Sequence, residues 1–192
     1  LRLCGIVGPA MGSNTADSGS RRVVAALALV VAAAVLLPIL AAPLPPLHDY
    51  PFHLARVDAL AALAGQVGHP TPYRLGSFLL PNVGMDVLSL GLTAALPPAI
   101  AGRVFLAFLL LTLLSGTVAL HRAVHGAWSP WPLLTGFVLY NWMFLFGFTN
   151  YLLGLGVMLW GLAAWVAMAG AAWPARLAVA LAFSLALLFC HL

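Results

Sequence analysis

The sequence predicts an all-α protein, a polytopic bundle of transmembrane helices with short amphipathic helices in its first extracytoplasmic loop. Two observations carry that expectation. Hydrophobic residues make up 64% of the 192 positions and charged residues only 6%, whereas a soluble globular domain carries roughly 25% charge. The apolar residues also gather into runs of about 20, the length that crosses the hydrocarbon core of a bilayer, and these runs are separated by Pro, Gly and the few charged side chains.

The elements follow in order. Gly12 to Arg22 is polar and closes with Arg21-Arg22, which makes residues 1–22 a cytoplasmic tail under the positive-inside tendency. Val23 to Ala42 is a transmembrane anchor, about twice as long as the apolar core of a cleaved signal peptide. A bacterial inner (plasma) membrane is the expected location. Pro43-Leu-Pro-Pro46 ends this helix and opens an extracytoplasmic loop that extends to residue 100. Within it, Pro51 suits a first helical turn, with Asp49 or Tyr50 at the capping position. His53 to Ala64 then shows apolar residues at helical spacing and reads as a surface helix. Gly65 to Pro81 is rich in Gly and Pro and reads as a loop.

Asn82 to Leu96 is a second short helix, stopped by Pro97-Pro98. It reads as re-entrant or surface-bound, because Asp86 inside it would cost roughly 2.5–3.5 kcal/mol at a bilayer centre. Leaving it uncrossed also puts Arg122 and Arg176 on the side of Arg21 and Arg22. Residues 101–192 hold the remaining spans: Val104 to Leu120, Pro132 to Phe148, Tyr151 to Ala169, and a last one from Leu177. Pro132 to Phe148 and Tyr151 to Ala169 are joined at Gly147-Phe-Thr-Asn150 as a helical hairpin. The total is about five spans of bilayer-crossing length. The chain reads as the N-terminal part of a longer protein, truncated at its C-terminus, with Met11 as its natural start.

Charge usage narrows the chemistry. The ionic set is 8 Arg and 4 Asp, and the net charge is +4. The Arg residues are scattered rather than striped, so nucleic acid is not an expected partner. Cys4 and Cys190 lie at opposite ends and form neither a disulfide framework nor a metal cluster. His121 and His125 are four apart on one helical face, but no second pair at that spacing joins them, and no metal is expected. No phosphate loop or nucleophile elbow occurs. Asn141, Thr149 and Asn150 are polar groups at membrane depth, where hydrogen bonds between helices are their usual role.

The densest polar cluster is His48-Asp49-Tyr50-Pro51-Phe52-His53-Leu54-Ala55-Arg56. Helical steps of four and three align Asp49, His53 and Arg56 on one face. A carboxylate there accepts a proton from a hydroxyl, and a guanidinium grips phosphate oxygens in a bidentate fork. The simpler reading of the same residues is that Asp49 caps the helix and Arg56 reaches for lipid headgroups. Asp58 is expected to face water, near Arg56 or Arg74. Asp86 is either a site residue or the ion-pair partner of Arg103.

This layout resembles the N-terminal part of the GT-C membrane glycosyltransferases. The resemblance rests on a lone acid after the first span, surface helices, Pro81-Asn82 opening a short helix, and Ala101-Gly102-Arg103 leading into the next span. It covers roughly Val23 to Gly126. The family's acidic pair is reduced here to Asp49, and its Pro-Pro-Leu helix opening to Pro81-Asn82-Val83. The resemblance implies a polyprenyl-phosphate sugar donor in a membrane lipid setting and inversion at the anomeric carbon. It also implies Asp49 as the catalytic base and Arg103 near the donor phosphate. With His53, Arg56 and Asp86 as further substrate contacts, these are the candidate site residues. No cofactor is indicated. A transporter or flippase subunit using Asp86, Asn141 and Asn150, or a structural membrane protein, is the alternative.

Overall fold

The computed structural model describes residues 14–74, 76 and 81–190. Cys4 and the expected start at Met11 lie outside the described residues, as does part of the Gly65 to Pro81 loop. Every element among the described residues is helical: α1 (Asn14–Ala41), α2 (Tyr50–Leu63), α3 (Gly84–Thr93), α4 (Pro98–His125), a 3-10 helix (Trp131–Val138), α5 (Trp142–Phe146), α6 (Thr149–Ala167) and α7 (Trp173–Cys190). The bundle is all-α, as the sequence predicts. Four of these helices are long and apolar enough to cross a membrane: α1 from Ser18, α4, α6 and α7. The chain is a multi-pass membrane protein.

Helix ends follow backbone chemistry. α1 runs on past Pro38 and stops before Pro43, Pro45 and Pro46, none of which can donate a backbone hydrogen bond. α4 starts on Pro98 and ends at Gly126, whose φ of +67° is the left-handed cap that glycine adopts without a Cβ penalty. Arg122 and His125 occupy its last turn, where positive charge complements the helix dipole. The polar tail predicted for Gly12 to Arg22 is helical from Asn14 onward and continuous with the anchor.

The direction of each pass can be read from its neighbours. Arg21 and Arg122 both lie over the Trp128 ring, at 5.9 and 5.6 Å, so α1 begins where α4 ends. From there the segment after Trp131 climbs beside α1. Gly136 meets Val31, Tyr140 donates a hydrogen bond to the Val35 carbonyl at 2.7 Å, and Gly147 reaches Asp49. α6 then descends parallel to α4, with Gly156 against Thr112 and Trp160 against Ser115. α7 returns from Trp173, which meets Trp165, until Cys190 reaches Gly84.

The segment predicted as a span over Pro132 to Phe148 runs from the Trp128 end of the bundle to the Asp49 end, but it is not one α-helix and is not among the four helices long and apolar enough to cross a membrane. It is a 3-10 helix and a single α-turn joined at Leu139 to Asn141. A 3-10 helix rises about 2.0 Å per residue against 1.5 Å for an α-helix, so this short segment covers the same height. α2 and α3 sit together at the end of the bundle where α4 and α6 begin and α7 finishes. With only 10 residues, α3 is about 15 Å long and does not cross. The core between the passes is apolar, with Ile39, Phe105, Leu109, Leu110, Phe144, Leu152 and Leu153 buried. Large apolar side chains such as Leu29, Val30 and Phe137 are exposed outward, the face that lipid covers.

Candidate functional site

The site grows from the junction of α1 and α2. His48 donates its backbone N–H to the Leu145 carbonyl at 2.7 Å, and its ring packs on Phe146 at 5.8 Å. The chain after the prolines is thereby tied to the end of α5. One turn into α2, His53 Nε2 donates to the Gly147 carbonyl at 2.8 Å. Gly147 has φ +99°, and a Cβ there would stand 2.9 Å from Asp49 Cβ and 3.2 Å from His53 Nε2. Glycine is required at this position both for its conformation and for the close approach. Gly147, which the sequence marks as a turn and a close-packing glycine, also shapes the surroundings of Asp49 and His53; a glycine directly after an apolar helix is the signal for such a cap.

Asp49 occupies the N-cap position of α2 but forms no side-chain capping bond. Its carboxylate is half-buried and has no ion-pair or hydrogen-bond partner among the described residues. The capping role expected of it is not the one it plays.

Arg56 and Asp86 form a two-pronged pair, Nε to Oδ1 at 2.6 Å and Nη2 to Oδ2 at 2.5 Å. Asp86 is buried at 5% exposure, and a buried carboxylate needs such a partner. Its place in the first turn of α3 adds the favourable end of the helix dipole. The Asp86 hydrogen bonds are the main reason that the Arg56 pKa is raised; burial opposes the shift and the Asp86 charge adds to it. The sequence offered Arg103 as the partner of Asp86. In the fold α2 and α3 face each other and Arg56 takes that place.

α3 is itself held by α6. Asn150 accepts the Met85 N–H at 2.7 Å and donates to the Asn82 carbonyl at 3.0 Å. At its other end Thr93 donates to Gln66 at 2.7 Å, which closes α3 onto the end of α2. Asn141 accepts the Phe144 N–H at 3.0 Å and caps α5. The two Asn residues offered for a transport path are thus occupied with backbone.

Asp49, His53, Arg56 and Asp86 line one cavity of about 760 Å³, together with Phe52, Tyr73 and Arg74. Its volume lies within the roughly 300–1,000 Å³ of small-molecule sites. Arg103 is not in it. Its guanidinium donates to the Pro43 carbonyl at 2.6 Å, tying the start of α4 to the end of α1. It also faces Tyr50, whose hydroxyl is buried against Gly102 without a partner. Burial pushes the Tyr50 pKa up, and the Arg103 charge offsets part of that rise. The structure thus gives Arg103, one turn from the end of the bundle, a contact that ties α4 to the end of α1 outside this cavity. Arg74, which sequence reasoning considered only as a neighbour of Asp58, is the second guanidinium of the cavity.

Asp58 pairs instead with His69 Nε2 at 3.0 Å on the exposed side of α2. The rings of His121 and His125 lie 4.4 Å apart at the far end of the bundle. Among the described residues no group of three metal-ligating side chains forms.

Chemically the cavity offers one carboxylate able to take a proton, a second carboxylate neutralised by Arg56, and two guanidinium groups suited to a phosphate. In comparisons with known proteins, no family model, no curated protein and no solved structure matches the chain.

Proposed function

We propose that the protein is a GT-C-like glycosyltransferase of a bacterial inner membrane, with its N-terminus cytoplasmic, that moves a sugar from a polyprenyl-phosphate donor to an acceptor hydroxyl with inversion. The observation that carries this reading is the shared cavity of Asp49, Arg56 and Arg74 at one end of the bundle. Arg21, Arg22, Arg122 and Arg176 gather at the opposite end, which the positive-inside tendency assigns to the cytoplasm. The cavity then faces the extracytoplasmic side, where an acceptor arrives from water and a lipid-linked donor from the outer leaflet.

In this reaction the acceptor oxygen attacks the anomeric carbon while the bond from that carbon to the phosphate oxygen breaks. The acceptor proton passes to the Asp49 carboxylate. Lipid phosphate leaves with the bonding electrons, and attack opposite to it inverts the centre. Asp86 occupies Nε and Nη2 of Arg56, so the remaining Nη1 edge is free to meet phosphate oxygens alongside Arg74. Asp86 is a positioning residue in this scheme, and His53 holds the Gly147 wall behind Asp49.

The test is Asp49→Asn in membrane vesicles supplied with a radiolabelled polyprenyl-phosphate sugar. A general base contributes about 10²–10⁴-fold, so transfer is expected to fall by that factor, with Asp58→Asn close to wild type. Transfer that survives Asp49→Asn removes the proposed base.

A further inference from the structure

A second large cavity lies away from this site, and the proposed reaction does not use it. It is a trough of about 960 Å³ between α1, α4 and α6, at the depth of the bilayer. Its lining includes small side chains from all three helices, among them Ala28, Ala119 and Ala164, beside larger apolar ones such as Phe108 and Trp160. Because the alanines present only methyl groups, the three helices leave a channel where larger side chains would fill it. The polar side chains along its middle are already satisfied: Trp160 Nε1 donates to Ser115 Oγ at 3.2 Å, and Thr112 Oγ1 donates to the Phe108 carbonyl at 2.7 Å. An occupant of the channel therefore has to be apolar along its length.

One end of the trough differs. Arg122 and Trp128 line it there, with the Arg122 guanidinium over the indole ring at 5.6 Å. Among the described residues no carboxylate pairs with Arg122. From Arg122 to Phe108, the trough follows α4 for about 21 Å at 1.5 Å per residue, more than half of the ~30 Å hydrocarbon core. An apolar channel of that length, ending in an uncompensated guanidinium beside an interfacial Trp, matches one chemical class: an amphiphile with an anionic head and a long hydrocarbon tail.

We propose that this trough is a binding site for one anionic phospholipid. One acyl chain lies along Ala28, Ala119 and Ala164, and the phosphate is held by Arg122. The site is independent of the proposed glycosyl transfer, since it lies at the opposite end of the bundle from Asp49.

The experiment is native mass spectrometry of the full chain, released from vesicles of equal phosphatidylglycerol and phosphatidylcholine. Wild-type protein is expected to retain phosphatidylglycerol over phosphatidylcholine by at least about fivefold, the worth of one Arg near an anionic lipid. Arg122→Gln should abolish the preference, and Arg122→Lys should keep most of it. Arg22→Gln removes a charge from the same end but outside the trough and should leave the preference intact. Ala28→Phe, which fills the channel, should lower retention of both lipids. Equal retention by wild type, or equal effects of Arg22→Gln and Arg122→Gln, overturns the site in favour of general surface attraction. A dimer carrying no lipid overturns it by giving the trough to a second copy.

Discussion

At the scale of single residues, the choice of partner is what the fold decides. Arg56 was readable as a phosphate clamp and Asp86 as a costly carboxylate, but that each answers the other follows only from α2 lying on α3. The same holds for Asp58, which is exposed and takes His69 rather than an Arg. His69 carries a raised pKa, chiefly through its hydrogen bond to Asp58, with smaller contributions from the Pro70 carbonyl and the Asp58 charge. A raised imidazole pKa means that this contact supports the folded loop fully at pH below the free-histidine value of about 6.5. The support is lost as pH rises through the folded value. Histidine NMR titration is expected to place His69 above an unperturbed imidazole, and Asp58→Asn should return it toward that reference. A His69 titration that Asp58→Asn leaves unmoved would show that the pair does not form in solution.

At the scale of elements, the long helices were legible because lipid exposure forces them to be apolar all round and Pro or Gly marks their ends. The segment after Trp131 was misread as one α-helix because hydropathy registers apolar length but not backbone geometry. Asn141 caps a new helix at Trp142, and Gly136 brings the backbone against Val31; the first is a local contact within the α5 turn, and the second needs α1 in place. Close packing of α4 on α6 depends on a similar approach. A Cβ on Gly156 would stand 2.9 Å from Thr112 Cγ2 and 3.3 Å from the Leu113 nitrogen. Overpacking of this kind costs typically 1–3 kcal/mol, so Gly156→Leu is expected to lower the unfolding temperature in detergent, followed by circular dichroism. Gly91→Ala has open space around it and should be neutral or stabilising, since Ala exceeds Gly in helix propensity by about 1 kcal/mol. Equal melting of Gly156→Leu and wild type would mean that the two helices are not tightly packed there.

At the scale of the whole molecule, the passes sort charge to the two ends. α2, α3 and the Asp49 cavity share one end, and Arg21, Arg122 and Arg176 the other. Single cysteines test this arrangement directly. Tyr73→Cys, at a position 67% exposed, and Val124→Cys, at one 56% exposed, should react with a membrane-impermeant maleimide from opposite faces of intact cells and vesicles; labelling of both from one face would overturn the order of passes. The sequence by itself determined that the protein lives in a bilayer, that its regular structure is helical, and where most helices begin and end. It also marked the stretch around Asp49 as the concentration of ionisable groups. Those properties are local: hydrophobic length, proline and glycine placement and charge scarcity act within one segment, whatever its neighbours. Only the tertiary structure decided that Arg56 holds Asp86, that Arg103 ties α4 to Pro43 and stays out of the cavity, that Arg74 enters it, and that Gly147 packs against Asp49 and His53. Those are contacts between segments tens of residues apart, and a side chain's partner depends on distance in space, which spacing along the chain does not encode.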